Sequence, residues 1–179
     1  MFPSLKIPSD NKIKFYNELN AYLTELISEE PNWLANAANA SALLYQMLPD
    51  INWAGFYLFT SGGLVLGPFQ GKPACVRIAL GKGVCGTAAK TREIQVVQDV
   101  EQFPGHIACD GASQSEIVLP ILIDDRLIGV LDIDSPVKGR FDHFDAVGLS
   151  TFVEILNQYI KWVWLEIVTK KPILIPCIT

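Results

Sequence analysis

Four cysteines, a set of carboxylates and a pair of aromatics are the residues of this chain that could do chemistry. The cysteines are Cys75, Cys85, Cys109 and Cys177. Cys109 sits in "FPGHIACDGASQSEIVLPI" (103–121), flanked by His106, Asp110, Gly105 and Gly111, with an apolar strand pattern directly after it. A polar, exposed loop is where a reactive thiol belongs, whereas an inert one is usually buried among apolar neighbours. The plain alternative is a tolerated loop residue. Cys75 lies near the start of an apolar run, and Cys85 lies in the glycine-rich "GKGVCGTAAKT" (81–91). There "VCGTAA" reads as the packed start of a helix, so Cys85 also fits the usual role of a free cysteine as a small hydrophobe. Cys75, Cys85 and Cys109 with His106 invite a zinc reading. The thiols are 10 and 24 residues apart, and no C-x2–4-C pair occurs. Zinc sites built on thiols need that close pairing, so no metal is expected.

The acids are equally out of place. "DID" (132–134) puts Asp132 and Asp134 on one face of a strand and Ile133 on the other. Asp134 could end the strand and cap the turn at Ser135-Pro136. Asp132, which follows "LIGVL", has no such excuse, and Glu116 directly precedes "IVLPI". Three acids near strand ends could form a pocket for a cationic ligand. Alternatively, one could be held protonated by its like-charged neighbours and serve as an acid. Trp53 and Tyr57 flank Gly55 on one face of a further strand. Such aromatics are usually core, but the glycine between them leaves a slot suited to a small ligand group.

These residues need elements to position them. At 179 residues, one domain with a real core is the natural expectation. Half of the residues are apolar and 18% are charged, which excludes a disordered or fibrous chain. A net charge of −5 without a basic stripe argues against nucleic-acid and anionic-membrane partners. The N-terminus has no apolar h-region and no apolar run is long enough to span a bilayer. The expected address is therefore cytoplasmic, with the nucleus as a further one, where thiols are normally reduced.

Asp10 is expected to cap a first helix with Ile13, Tyr16, Leu19, Leu23, Leu26 and Ile27 inward. Pro31 suits the first turn of a second helix, with Leu34, Ala37, Leu44, Met47 and Leu48 inward and Pro49 as its stop. Strands are expected at 51–60, 64–69, 74–80 and 93–97, with a turn at 61–63. The loop 98–115 is long enough to be functional or mobile. "EIVLPILID" and "RLIGVLDID" should pair around Asp124-Asp125. A closing helix is expected over 141–164 with Phe144, Val147, Phe152, Leu156, Ile160 and Val163 inward. Two helices, a run of antiparallel strands and a last helix make an α+β domain with helices packed on one side of a sheet.

"NWAGFY", "LGPFQGKPAC", "GKGVCGTAA", "FPGHIACD", "SEIVLPI" and "GVLDIDSP", in this order, resemble the free methionine-R-sulfoxide reductases, a catalytic branch of the GAF-domain fold. The resemblance spans residues 15–160. It implies a GAF-like catalytic domain over 1–164, with a central antiparallel sheet of about six strands, helices on one face and the ligand pocket on the other. It implies thiol-dependent reduction of free L-methionine-R-sulfoxide through a cysteine sulfenic acid and an intramolecular disulfide, with recycling by thioredoxin and no metal or organic cofactor. By resemblance, Cys109 is the attacking thiol, Cys75 its main resolving partner and Cys85 a third thiol able to enter disulfide exchange. Glu116, Asp132 and Asp134 match the acids that hold the substrate ammonium and assist at the sulfoxide oxygen, and Trp53 and Tyr57 match the aromatics around the substrate. The alternatives are a non-enzymatic GAF domain sensing a small ligand and a redox switch built on Cys75 and Cys109. The C-terminal tail 165–179, "LEIVTKKPILIPCIT", with Cys177, has no counterpart in the family pattern. It could pack on the domain or on a second subunit, which leaves a homodimer open.

Overall fold

The structure, a computed structural model, describes residues 11–60, 62–107 and 110–162. Cys109, Cys177 and the tail 165–179 lie outside the described residues, as does Asp10.

Helix α1 (Lys12–Ile27) is capped by Asn11, whose side chain accepts from Lys14 N at 3.0 Å. Asn11 therefore takes the place expected of Asp10. Phe15, Tyr16, Leu19, Leu23 and Ile27 face the core, Leu26 is half-buried, and Ile13 points to solvent at 59% exposure. Helix α2 (Trp33–Met47) begins after Asn32, which accepts from Leu34 N and Ala35 N. Pro31 thus precedes the cap instead of standing in the first turn. Ala37, Ala40, Leu43 and Leu44 turn inward, while Leu34 is exposed.

Strands β1 (Trp53–Thr60) and β2 (Gly63–Gly71) form a hairpin in which Thr60 pairs with Gly63. Of the expected strand over 74–80, only β3 (Arg77–Ile78) pairs, with Val65 and Leu64. Pro73 offers no N–H to a ladder, and the Tyr57 hydroxyl donates to the carbonyl of Cys75 at 3.0 Å. The Cys75 carbonyl is thereby tied to the pocket face, while the next carbonyl, of Val76, still accepts from Leu66 N of β2 at 3.0 Å. Helix α3 (Gly83–Thr91), β4 (Gln95–Val97) and a 3-10 turn (Val100–Gln102) follow. Strands β5 (Ser115–Ile123) and β6 (Arg126–Ser135) make the expected hairpin. Asp124 and Asp125 both take positive φ, 48° and 58°, as a two-residue turn matched to strand twist requires.

The six strands are antiparallel throughout, in the order β3-β2-β1-β6-β5-β4. Period-2 alternation sorts their side chains onto two faces. Ala54, Phe56, Leu119, Leu131 and Ile133 join α1, α2 and the closing helix α4 (His143–Tyr159) in one core. Trp53, Tyr57, Val118 and Val130 join α3 in a second, smaller cluster. The helices are therefore not all on one side: α3 lies on the opposite face and helps to build the pocket.

Helix α4 is shorter than 141–164; Phe152, Leu156 and Ile160 are buried as expected, while the first turns face otherwise. Asp142 and Asp145 form a capping box. Asp145 also accepts from the Tyr16 hydroxyl at 2.8 Å and pairs with Arg140 at 3.1 Å. With Asp145 anchored inward, the buried row runs through Gly148, Leu149, Phe152, Val153 and Leu156. Phe144 and Val147 are left about half exposed, and Val163 lies outside the described residues. None of the described helices is long and apolar enough to cross a membrane.

Candidate active site

Strand pairing assembles the site. Trp53 stands opposite Asp134 and Gly55 opposite Asp132 across β1 and β6. Glu116 stands opposite Asp134 and Val118 opposite Asp132 across β5 and β6. All three acids thus project from the middle of the sheet toward the α3 side. The first turn of α3 brings Cys85 over them, with its Sγ 3.8 Å from Glu116 Oε1. His106, in the loop before β5, places Nε2 3.9 Å from Glu116 Oε2. Trp53, Tyr57, Cys85, His106, Glu116, Asp132 and Asp134 line one pocket, with Lys72, Lys82 and Ile107 at its rim.

Burial dominates the electrostatics here. Glu116 and Asp132 are each 6% exposed and lie side by side. Burial, then the charges of Asp132 and Asp134, push the Glu116 carboxyl well above the ordinary carboxylate range. Burial and the Asp132 charge push Asp134 up as well. Asp132 is pushed up to about 6 by burial, with the nearby Cys85 thiol and Glu116 carboxyl pulling the other way. Burial and the adjacent acids also raise the Cys85 thiol and the Tyr57 hydroxyl. The corner holds protons at pH values where exposed carboxyls have lost theirs. Asp132 Oδ1 is buried with no hydrogen-bond partner among the described residues. A cation or an N–H donor in the pocket would satisfy it.

The aromatic wall differs from the expected slot. Phe69 of β2 stacks on Trp53 at 5.2 Å between centroids, and Trp53 stacks on Tyr57 at 5.9 Å. A Cβ at Gly55 would lie 2.3 Å from Phe69 Cβ. Gly55 therefore admits Phe69, not a ligand, and the slot is filled. Nor does Asp134 tie the turn after β6: Ser135 Oγ accepts from Val137 N at 3.0 Å, and Asp134 is left to the pocket.

The structure brings together Trp53, Tyr57, Cys85, Glu116, Asp132 and Asp134. Cys85 is free and buried, and Cys75 is disulfide-bonded. Sequence reasoning missed the polar cluster around Asp110. Its carboxylate accepts from Asn52 Nδ2 at 3.2 Å, Lys72 Nζ at 3.2 Å and Ala112 N at 3.0 Å. The Ala112 amide and Lys72 hold Asp110 below the usual carboxylate range. Lys72 precedes Cys75 by three residues, and Asp110 follows Cys109 directly. Their positions beside two cysteines were the available signal.

Residues 32–166 match the GAF domain family. The chain is 57% identical to Protein YtsP of Bacillus subtilis, covering 84% of this chain and 93% of that one. It is 56% identical to free methionine-R-sulfoxide reductase of Escherichia coli, covering 83% and 90%. Among solved structures, free methionine-R-sulfoxide reductase from Neisseria meningitidis in complex with its substrate superposes with a TM-score of 0.85 at 39% identity, covering 92% of this chain and 99% of that one.

Proposed function

From the premise that this chain belongs to the free methionine-R-sulfoxide reductases of the GAF fold, we propose that it reduces free L-methionine-R-sulfoxide with a cysteine thiol and is recycled by thioredoxin. The observation that carries this reading is the buried acid corner of Glu116, Asp132 and Asp134, with an unpartnered Asp132 oxygen facing the pocket. A free amino acid brings an ammonium that a peptide-bound methionine lacks. Ionised Asp132 and Asp134 would accept its hydrogen bonds, and an N-blocked substrate would leave them unpaired.

A sulfoxide sulfur is a weak electrophile until its oxygen gains a proton. Glu116, held protonated by burial and like charge, is suited to deliver it. In this reading the Cys109 thiolate attacks the sulfoxide sulfur. An Sγ–S bond forms on the protonated sulfoxide; the hydroxyl then passes from the methionine sulfur to Cys109 as that S–O bond and the Sγ–S bond both break, so methionine leaves and Cys109 is a sulfenic acid. The Cys75 thiol then attacks the Cys109 sulfur; the disulfide forms and the oxygen leaves as water. Two thiols are oxidised and one sulfoxide is reduced. A thioredoxin dithiol restores both by exchange. Cys85, in contact with Glu116, could enter the same exchange.

The test is turnover with a thioredoxin system, read as NADPH consumed per methionine released. Free R-sulfoxide should be reduced stoichiometrically, and the S epimer and N-acetylated sulfoxide should be left essentially untouched. Equal rates on the N-acetylated compound would overturn the role of the acids. Binding without turnover would favour a sensor.

A further inference from the structure

We infer that the acid corner is also a site for a thiophilic divalent cation of the zinc class, held by Cys85 Sγ and one oxygen each of Glu116 and Asp132, with His106 Nε2 as the fourth donor. The three ligand atoms of Cys85, Glu116 and Asp132 lie within 4.8 Å of one another. Bonds of about 2.3 Å to sulfur and about 2.1 Å to oxygen or nitrogen place tetrahedral donors roughly 3.3–3.7 Å apart. Cys85 Sγ is already 3.8 Å from Glu116 Oε1, and His106 Nε2 is 3.9 Å from Glu116 Oε2. Cys85, Glu116 and Asp132 already stand near that spacing; His106, beside Glu116 but outside this set of three, must swing in to complete it.

Two observations beyond the acids themselves point to a metal. Asp132 Oδ1 is buried, faces the pocket and has no partner among the described residues. Cys85 is free, buried and directed at the carboxyls. A thiol contributes little to an ammonium, whereas a thiolate selects soft cations over calcium or magnesium. This donor set of one sulfur, two oxygens and one imidazole nitrogen is not the thiol cluster that the cysteine spacing disfavours. It is assembled by strands β5 and β6, helix α3 and the loop before β5. A cation seated there occupies the place assigned above to the substrate ammonium. That part of the inference rests on the proposed activity, so zinc would inhibit by competition with substrate.

The chelator-treated, fully reduced protein is titrated with cobalt(II) alone and followed by absorbance. The expected result is a near-ultraviolet thiolate-to-cobalt band with the intense visible bands of tetrahedral cobalt, all displaced by zinc. Cys85→Ser should lose the ultraviolet band, Asp132→Asn should weaken cobalt binding at least about tenfold, and Cys75→Ser should keep both. Excess free methionine-R-sulfoxide should displace the cobalt. No band in the wild type, or an undiminished band in folded Cys85→Ser, overturns the site. Cobalt that substrate cannot displace overturns the competition. A Cys85-dependent band in a protein that does not turn over the sulfoxide leaves the metal site standing and overturns the proposed activity instead.

Discussion

At Glu116, burial and like charge act in the same direction, so the side chain keeps a proton that the fold does not need. Glutamine preserves its shape but cannot deliver that proton. Glu116→Gln should therefore lower kcat by about a hundredfold or more, while the urea midpoint stays or rises, because a buried ionisable group has been removed. A drop in midpoint with full activity per folded molecule would make Glu116 structural. The cysteines separate in a single-turnover burst without reductant, counted as methionine per subunit. Cys109→Ser should give no methionine. Cys75→Ser should release the first equivalent and then recycle slowly, unless Cys85 replaces it. Cys177→Ser should alter neither step. A full burst from the Cys109 variant would overturn the assignment, and a lost burst in the Cys75 variant would exchange the two roles.

Between elements, the tightest fit is that of α4 on α1. A Cβ at Gly148 would lie 2.1 Å from Tyr16 Cγ. The Tyr16 hydroxyl is held by Asp145, so the ring cannot retreat without breaking a buried hydrogen bond. Gly148→Ala should cost on the order of 1–3 kcal/mol, as overpacking does, and lower the urea midpoint. Turnover per folded molecule should be unchanged, since this contact lies on the sheet face away from the pocket. Unaltered stability would mean that the two helices can slide apart. The same contact explains what the amino-acid pattern reveals and what it hides. The alternation holds along β1 and over 130–134 of β6, so the shared faces of Trp53 with Tyr57 and of Asp132 with Asp134 are legible in the sequence. The Asp124-Asp125 hairpin is legible too. The first turns of α4 are not, because a buried Asp145 and a buried Gly148 replace the apolar residues that periodicity seeks. The short β3 and the filled slot at Gly55 depend on Tyr57 holding Cys75 and on Phe69 stacking across strands, and these long-range pairings leave no local pattern.

For the molecule as a whole, the acid corner sets a pH dependence opposite to that of ordinary surface carboxylates. The folded-state pKa of Asp132 is raised from 3.8 to about 6, and Glu116 and Asp134 are raised as well. Between about pH 4 and 6 the folded chain therefore binds more protons than the unfolded chain, and stability falls as pH rises through that window. Asp99, Asp110 and Asp142 are lowered and act the other way, their contribution being lost only as the pH drops into the acid carboxylate range. Burial lowers His106, so its contribution is lost as pH falls below its ordinary value of 6.5. Tyr57 and Cys85, which also face the acids, are raised and stay neutral through this window. Three raised carboxyls against one imidazole leave a net loss toward neutrality. The reduced, substrate-free protein should melt higher at pH 5.5 than at pH 7.5, by at least roughly 2 °C for a domain of this size. Glu116→Gln should shrink that difference. Substrate reverses the sign: its ammonium favours the ionised carboxylates, so binding releases protons, and KM for the free sulfoxide should rise as pH falls through about 6. Calorimetry at pH 6 in buffers of different ionisation enthalpy counts the protons directly. A melting temperature that climbs steadily from pH 5.5 to 7.5, together with no proton release on binding, would show that the three acids are ionised in the folded state and that the pocket is not tuned in this way.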